Sequence, residues 1–124
     1  MRPKYLTEVE NIGKDEIHAL FHYENGELYW KPRLNNISWT KRYAGKLVTR
    51  NKTTRNGYER VHITAKKRSF AKHRLIWIMH NGAIPVGMQV DHINNVPNDN
   101  RIENLQLLNN SENNQKKYAS SKRK

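Results

Sequence analysis

Residues 88–114, MQVDHINNVPNDNRIENLQLLNNSENN, constrain the fold more than any other stretch of the chain. Met88-Gln89-Val90 reads as a short strand running into Asp91-His92. The loop from Ile93 to Asn100 is rich in Asn, with Asp and Pro, residues that favour turns by bonding the local backbone or fixing φ. Leu105 to Leu108 reads as a returning strand. Asn109-Asn110-Ser111-Glu112 has the pattern of a capping box, in which Asn109 accepts from an orphan helix N–H and Glu112 reaches back. Strand, polar loop, strand and capped helix make a compact ββα unit, with Asn113 in the first turn of the helix.

Upstream, Lys14 to Tyr23 reads as a short helix, because Ile17, Leu20 and Phe21 fall at helical spacing; Asn25-Gly26 ends it as a turn. Glu27 to Trp30 reads as a strand stopped by Pro32. Residues 33–44, LNNISWTKRYAG, are polar, basic and irregular, a loop suited to ordering on nucleic acid. Gly45 to Val48 reads as a second strand and Asn51 to Gly57 as a turn. Tyr58 to Thr64 alternates, with Tyr58, Arg60 and His62 on one face and Glu59, Val61 and Ile63 on the other. Lys66-Lys67-Arg68 is a basic turn from which Ser69 to Ala71 pairs back. Lys72 to Asn81 is the clearest helix, with an apolar stripe of Leu75, Ile76, Ile78 and Met79 and a stop at Gly82. Ile84 to Gly87 is a turn, residues 1–12 run along the surface, and Lys116 to Lys124 is a frayed basic tail. The expected class is α+β: a small N-terminal antiparallel sheet with helices, followed by the ββα unit. One domain covers 1–124, with helix and antiparallel strands at 13–70, a helix and the ββα unit at 71–117 and the basic tail at 118–124.

Composition narrows the partners. The 124 residues suit one compact domain, and a 35% hydrophobic content permits only a modest core. With no cysteine, disulfides and thiolate zinc sites are excluded. Lys and Arg number 23 against 11 Asp and Glu, a formal charge of +12, which favours a polyanion through counterion release. No apolar run approaches a membrane span, and Met1 to Tyr5 lacks the apolar core of a secretion signal, so a cytoplasmic protein is expected. A membrane surface is not an expected partner, since no long basic amphipathic helix carries an aromatic face. Basicity alone does not separate a nuclease from an inactive basic DNA- or RNA-binding module.

The ββα unit does separate them. Asp91 and Asn113 can face each other across it, and a carboxylate with an amide oxygen suits a hard cation such as Mg²⁺. His92, beside Asp91, is the natural general base for a water, and Asn104 can accept from its other ring nitrogen to fix the tautomer. Phosphodiester cleavage needs a base, a Lewis acid and an orienting group.

The stretch HRLIWIMHNGAIPVGMQVDHINNVPNDNRIENLQLLNNSENNQ resembles the HNH, or ββα-metal, endonucleases common in bacteriophages and among group I intron homing enzymes. The resemblance lies in His73-Arg74-Leu75, Gly82 with Pro85, Asp91-His92-Ile93, Asn100 to Leu105, and Glu112-Asn113, and covers about residues 70–115. Gly26 to Trp30 and Gly57 to Val61 resemble the amino-terminal half of such proteins. The resemblance implies hydrolysis of DNA to 5′-phosphate and 3′-hydroxyl ends. It implies Asp91 and Asn113 as metal ligands, His92 as base and Asn104 as the residue orienting it. Mg²⁺ or Mn²⁺ is the implied metal, double-stranded DNA the partner, and the active unit a monomer or homodimer. Many relatives have Asp where this chain has Asn94, a position expected to matter little because it lies outside the metal shell.

Each residue also has a blander reading. His92 and Asp91 can be a satisfied structural His and a turn cap, but both sit inside a full motif. Asn113 can be only a first-turn polar residue, and Asn104 a buried amide tying the loop. Lys66, Lys67 and Arg68 can be a solvated turn; with the net charge they read as DNA-backbone contacts, together with Arg42, Arg60, His73 and Arg74. Trp39 and Tyr43 can stack on bases or fill a small core. His18 and His22 are four apart but lack the Glu of a zinc-protease motif, so the surface is their expected place. Arg101 and Glu103 are expected to form a local ion pair or cap the loop.

Overall fold

A computed structural model describes residues 12–48 and 57–121. In chain order they form α1 (Lys14–Leu20), β1 (Phe21–Glu24), β2 (Glu27–Trp30), α2 (Ile37–Tyr43), β3 (Arg60–Ile63), β4 (Arg68–Ala71), α3 (Lys72–Asn81), β5 (Met88–His92), β6 (Leu105–Asn109) and α4 (Asn110–Ser121). Short 3₁₀ turns occupy Thr64–Lys66 and Ile102–Asn104. The strands make three separate two-stranded antiparallel hairpins, β1 with β2, β3 with β4, and β5 with β6.

A lone two-stranded hairpin is marginal in water, so each needs an apolar surface to lie against. The stripe on α3 provides it. Leu75, Ile76, Ile78 and Met79 are buried in one cluster with Phe21 and Leu28 of the first hairpin, Val61, Ile63 and Phe70 of the second, and Val90 and Leu105 of the third. Ile17 of α1 and Ile12 join the same cluster. The α+β class holds, but with three hairpins around a helix in place of one small sheet.

Five local expectations change; the first is that Lys116 to Ser121, expected as a frayed tail, continue helix α4. The first helix stops at Leu20, and Phe21 to Glu24 pair with β2, Phe21 opposite Trp30. Ile17, Leu20 and Phe21 fit a helical period, yet Phe21 buried, His22 exposed and Tyr23 half-buried is the period of a strand. The Asn25-Gly26 turn makes that pairing available, and pairing overrides helix propensity. Residues 37–43, expected as loop, are helix α2, capped by Asn36 accepting from the Trp39 N–H at 2.9 Å. Gly45 to Val48 makes a single bridge, Leu47 to Tyr29, beside β2 and is not a full strand. Ile12 is buried, not on the surface, whereas residues 1–11, the Asn51 to Asn56 turn and Lys122 to Lys124 lie outside the described residues.

The first hairpin also braces the loop of the third. Asn25 and Gly26 both have positive φ, 47° and 89°, the requirement of a tight hairpin turn that only Gly meets without cost. A Cβ on Gly26 would fall 2.9 Å from the Arg101 nitrogen and 3.2 Å from the Asn100 carbonyl carbon. Tyr23 Oη accepts the Ile102 N–H at 2.9 Å. Gly26→Ala is therefore expected to destabilise by more than the roughly 1–2 kcal/mol of left-handed strain alone, because a rigid backbone must also move. Denaturant unfolding checks this; an unchanged midpoint would show that the turn is not seated against the loop.

Candidate active site

Strand alternation divides the residues of β5. Gln89 and Asp91 stand on the open face, while Val90 and His92 are buried. Asp91 lies opposite Gln106 and His92 opposite Leu105. The helix that closes the unit starts where the capping box requires: Asn109 Oδ1 accepts from the Glu112 N–H at 2.8 Å and Glu112 Oε1 from the Asn109 N–H at 2.9 Å. Asn113 and Lys116, three apart on α4, share one face and overhang the strand.

These residues meet in a cleft of about 510 Å³ whose walls include Tyr58, Asp91, Asn95, Asn113, Lys116 and Lys117. Asp91 Oδ2 accepts from Lys116 Nζ at 2.5 Å and from Gln106 Nε2 at 2.9 Å. Lys116 also donates to the His92 carbonyl at 2.6 Å. Asn113 Nδ2 donates to Gln89 Oε1 at 2.6 Å, which leaves the amide oxygen as its remaining polar atom. Asp91 and Asn113 thus line one cleft, with a side-chain ammonium already on the carboxylate.

His92 is 4% exposed. The His73 and Tyr58 rings lie 4.8 and 5.6 Å from its ring. Tyr58 also lines the cleft, so the imidazole is one ring removed from it. The His92 Nε2 pairs with Asn100 Oδ1 at 2.8 Å, not with Asn104. The expected partner is spent elsewhere. Asn104 Oδ1 accepts from the Asn94 N–H at 3.1 Å, and its Nδ2 donates to Asn94 Oδ1 at 3.0 Å and to the Asp99 carbonyl at 2.9 Å. Asn104 closes the loop, the blander of its two readings. Asn94 is equally engaged, since its Nδ2 donates to Asp99 Oδ2 at 2.8 Å. An Asp at that position would set two carboxylates against each other there. Arg101 pairs with Asp99 through two 2.8 Å bonds, which hold the Asp99 carboxyl well below the ordinary range.

Burial pushes the His73 imidazole down to about 3, with His92, Arg74 and Arg60 adding to the shift and Asp91 opposing it. His73 is therefore neutral at neutral pH and adds no charge to the basic surface. The sign for stability follows. The unfolded imidazole, near its ordinary value of about 6.5, takes up its proton before the folded one does. The stability carried by neutral His73 is complete above about pH 6.5 and is lost as pH falls toward about 3. His73→Phe should flatten the unfolding free energy across that window; an unchanged slope would refute the assignment.

The other basic residues named from sequence are dispersed in role. Lys66 pairs with Glu16 at 2.6 Å, Arg60 donates to the Ser69 carbonyl at 2.9 Å, and the Arg68 guanidinium lies 4.6 Å from the Phe70 ring centre. Lys67 sits exposed at the hairpin tip with φ 56°. Arg74 flanks His73 at the start of α3. Arg42 borders a second cleft of about 580 Å³ with Trp30, Arg33, Trp39, Tyr43 and Lys46. There Trp39 and Tyr43 pack on each other, and the Arg33 guanidinium lies 3.8 Å from the Trp39 ring centre, so both aromatics build a satellite cluster. His18 does not pair with His22; its Nε2 lies 2.7 Å from the Met79 carbonyl. Sequence reasoning missed Asn100, Glu59, Lys72, Gln106 and Lys116. Asn100 stood inside the recognised Asn100 to Leu105 motif without a role, and the pattern offered no signal for the rest.

Residues 70–115 match the family model of the HNH endonucleases. The structure is similar to the HNH homing endonuclease I-HmuI, solved in a study of its DNA binding and cleavage, with a TM-score of 0.61 and 23% identity. The match covers 82% of this chain and 53% of that one, so the chain spans about half the length of I-HmuI. At this identity the likeness is one of fold. No helix among the described residues is long and apolar enough to cross a membrane.

Proposed function

We propose that this chain is a metal-dependent endonuclease that hydrolyses double-stranded DNA to 5′-phosphate and 3′-hydroxyl ends. The observation that carries the reading is the single cleft shared by Asp91, Asn113 and Lys116 at the end of the strand bearing His92, within the segment that matches the family.

The donors fit a hard divalent cation. The Asp91 carboxylate, paired here with the Lys116 ammonium, supplies the negative charge, and Asn113 keeps its oxygen available. Among the described residues no group of three or more His, Cys, Asp or Glu gathers into a metal cage. Two oxygen donors suit Mg²⁺ or Mn²⁺, which retain water and take phosphate oxygens. When bound, the cation supplies charge stabilisation for the phosphate and the leaving 3′ oxygen. His92 takes the proton of the attacking water, which reaches it past Tyr58. Lys116 and Lys117 keep the cleft positive for the phosphate. Arg42, Arg60, Lys66, Lys67, Arg68 and Arg74 hold the DNA backbone without reading sequence, and His73 adds an uncharged contact. A monomer with one such site nicks a strand per visit, and a homodimer cuts both. Cytoplasmic action, in the host cell where the gene is phage-encoded, belongs to the same reading.

Supercoiled plasmid tests it. Conversion to open circle is expected with Mg²⁺ or Mn²⁺, and none with chelator. DNA affinity should fall steeply with salt as counterions compete for the phosphates. Salt-sensitive binding without conversion in either metal would replace this reading with an inactive DNA-binding module.

A further inference from the structure

Only four polar or charged residues are buried among the described residues, and three of them lie on one connected path: Lys72, Asn100 and His92. The path starts at Lys72, whose ammonium pairs with Glu27 and lies 3.4 Å from Glu59 Oε1. Asn100 Nδ2 donates to the same Glu59 oxygen at 3.1 Å, and Asn100 Oδ1 faces His92 Nε2 at 2.8 Å. Glu27, Lys72 and Glu59, from segments distant in sequence, thus connect through Asn100 to one ring nitrogen. Lysine is almost never buried without a partner, and a buried ion pair is a poor source of net stability. This one has a chemical consequence instead.

A carboxylate only accepts hydrogen bonds. Glu59 therefore fixes which way the Asn100 amide faces, because the flipped amide would set its oxygen against Glu59 Oε1. With its nitrogen committed to Glu59, Asn100 presents an oxygen to His92, and that oxygen also only accepts. The His92 Nε2 must then carry the ring proton, which leaves the lone pair on Nδ1. We propose that Glu59 and Asn100 are positioning residues that hold neutral His92 as the Nε2–H tautomer, making Nδ1 the basic nitrogen. Lys72 acts one step further back, holding the Glu59 carboxylate in place. What the lone pair does rests on the nuclease reading; which nitrogen bears the proton does not.

The test has two arms. Imidazole ¹⁵N shifts of the full chain, recorded without metal at a pH about two units above the ordinary imidazole value, report the tautomer directly. The wild type should show His92 protonated at Nε2. Asn100→Ala and the isosteric Glu59→Gln should both give a tautomer mixture. Glu59→Gln introduces an amide that no longer dictates the Asn100 orientation, and it decides the matter if Asn100→Ala does not fold. In the cleavage arm both variants should lower kcat by about ten- to a hundredfold with KM little changed, the size usual for residues that orient an active group. An Nδ1–H tautomer in the wild type, or variants that lose cleavage while keeping the wild-type tautomer, would overturn the proposal and reduce the network to scaffolding. A wild type that cuts no DNA would remove the nuclease reading alone, and the ring shifts would still decide the tautomer.

Discussion

His92→Ala should lower the rate of plasmid nicking by roughly a hundred- to ten-thousandfold, the range a positioned general base supplies. DNA affinity should stay within a few-fold of wild type, because contacts to phosphates from the basic surface carry affinity while His92 is 4% exposed. The substitution also leaves Asn100 Oδ1 without its 2.8 Å partner and takes a ring from beside His73. A stranded buried acceptor costs about 1–3 kcal/mol, a loss separable from catalysis by running thermal unfolding and DNA binding on the same preparation. Lost cleavage with retained binding and a folded baseline assigns His92 to the chemistry. Binding that collapses together with cleavage assigns it to the scaffold.

The parts of this site that were legible in sequence are those written locally. The stripe on Lys72–Asn81 repeats at the helical period, and every one of its four residues is buried. The capping box needs only Asn109 and Glu112, three residues apart, so its two bonds follow from spacing. The order Asp91, then Asn113 on a capped helix, places both in one cleft because β5 and β6 must pair in register. The partner of His92 was not legible. The loop and the turn after it offer Asn94, Asn95, Asn98, Asn100 and Asn104, all with the same chemistry. What selects Asn100 is Glu59, 41 residues earlier, held in turn by Lys72 at the start of α3. Likewise Lys116 reads as part of a basic tail, and only the packing of α4 on β5 turns its ammonium onto Asp91. The end of α1 was misread for a related reason: Phe21 satisfies a helical stripe and a strand alternation alike, and the Trp30 pairing that decides between them lies beyond the local window.

Asp91→Asn should abolish metal-dependent stabilisation of the protein as well as cleavage. A ligand that binds only the folded state raises stability by RT ln(1 + [L]/Kd), about 2.7 kcal/mol at a hundred times Kd, so saturating Mn²⁺ should raise the melting temperature of the wild type measurably. The amide at 91 removes the single negative charge that the cleft offers, and the Asn113 oxygen is left with no anionic partner to complete the shell. With chelator the comparison runs differently. The Lys116–Asp91 pair is partly exposed, at 23% and 17%, and water screens it, so its loss should cost little. Gln106 keeps an oxygen acceptor at position 91. The variant should therefore melt near the wild type in chelator and well below it in Mn²⁺, with the gap opening as metal is added. This divergence separates a metal ligand from a residue that merely pairs with lysine, which would give the same gap in both conditions. Equal Mn²⁺-induced shifts in the two proteins would place the cation away from Asp91.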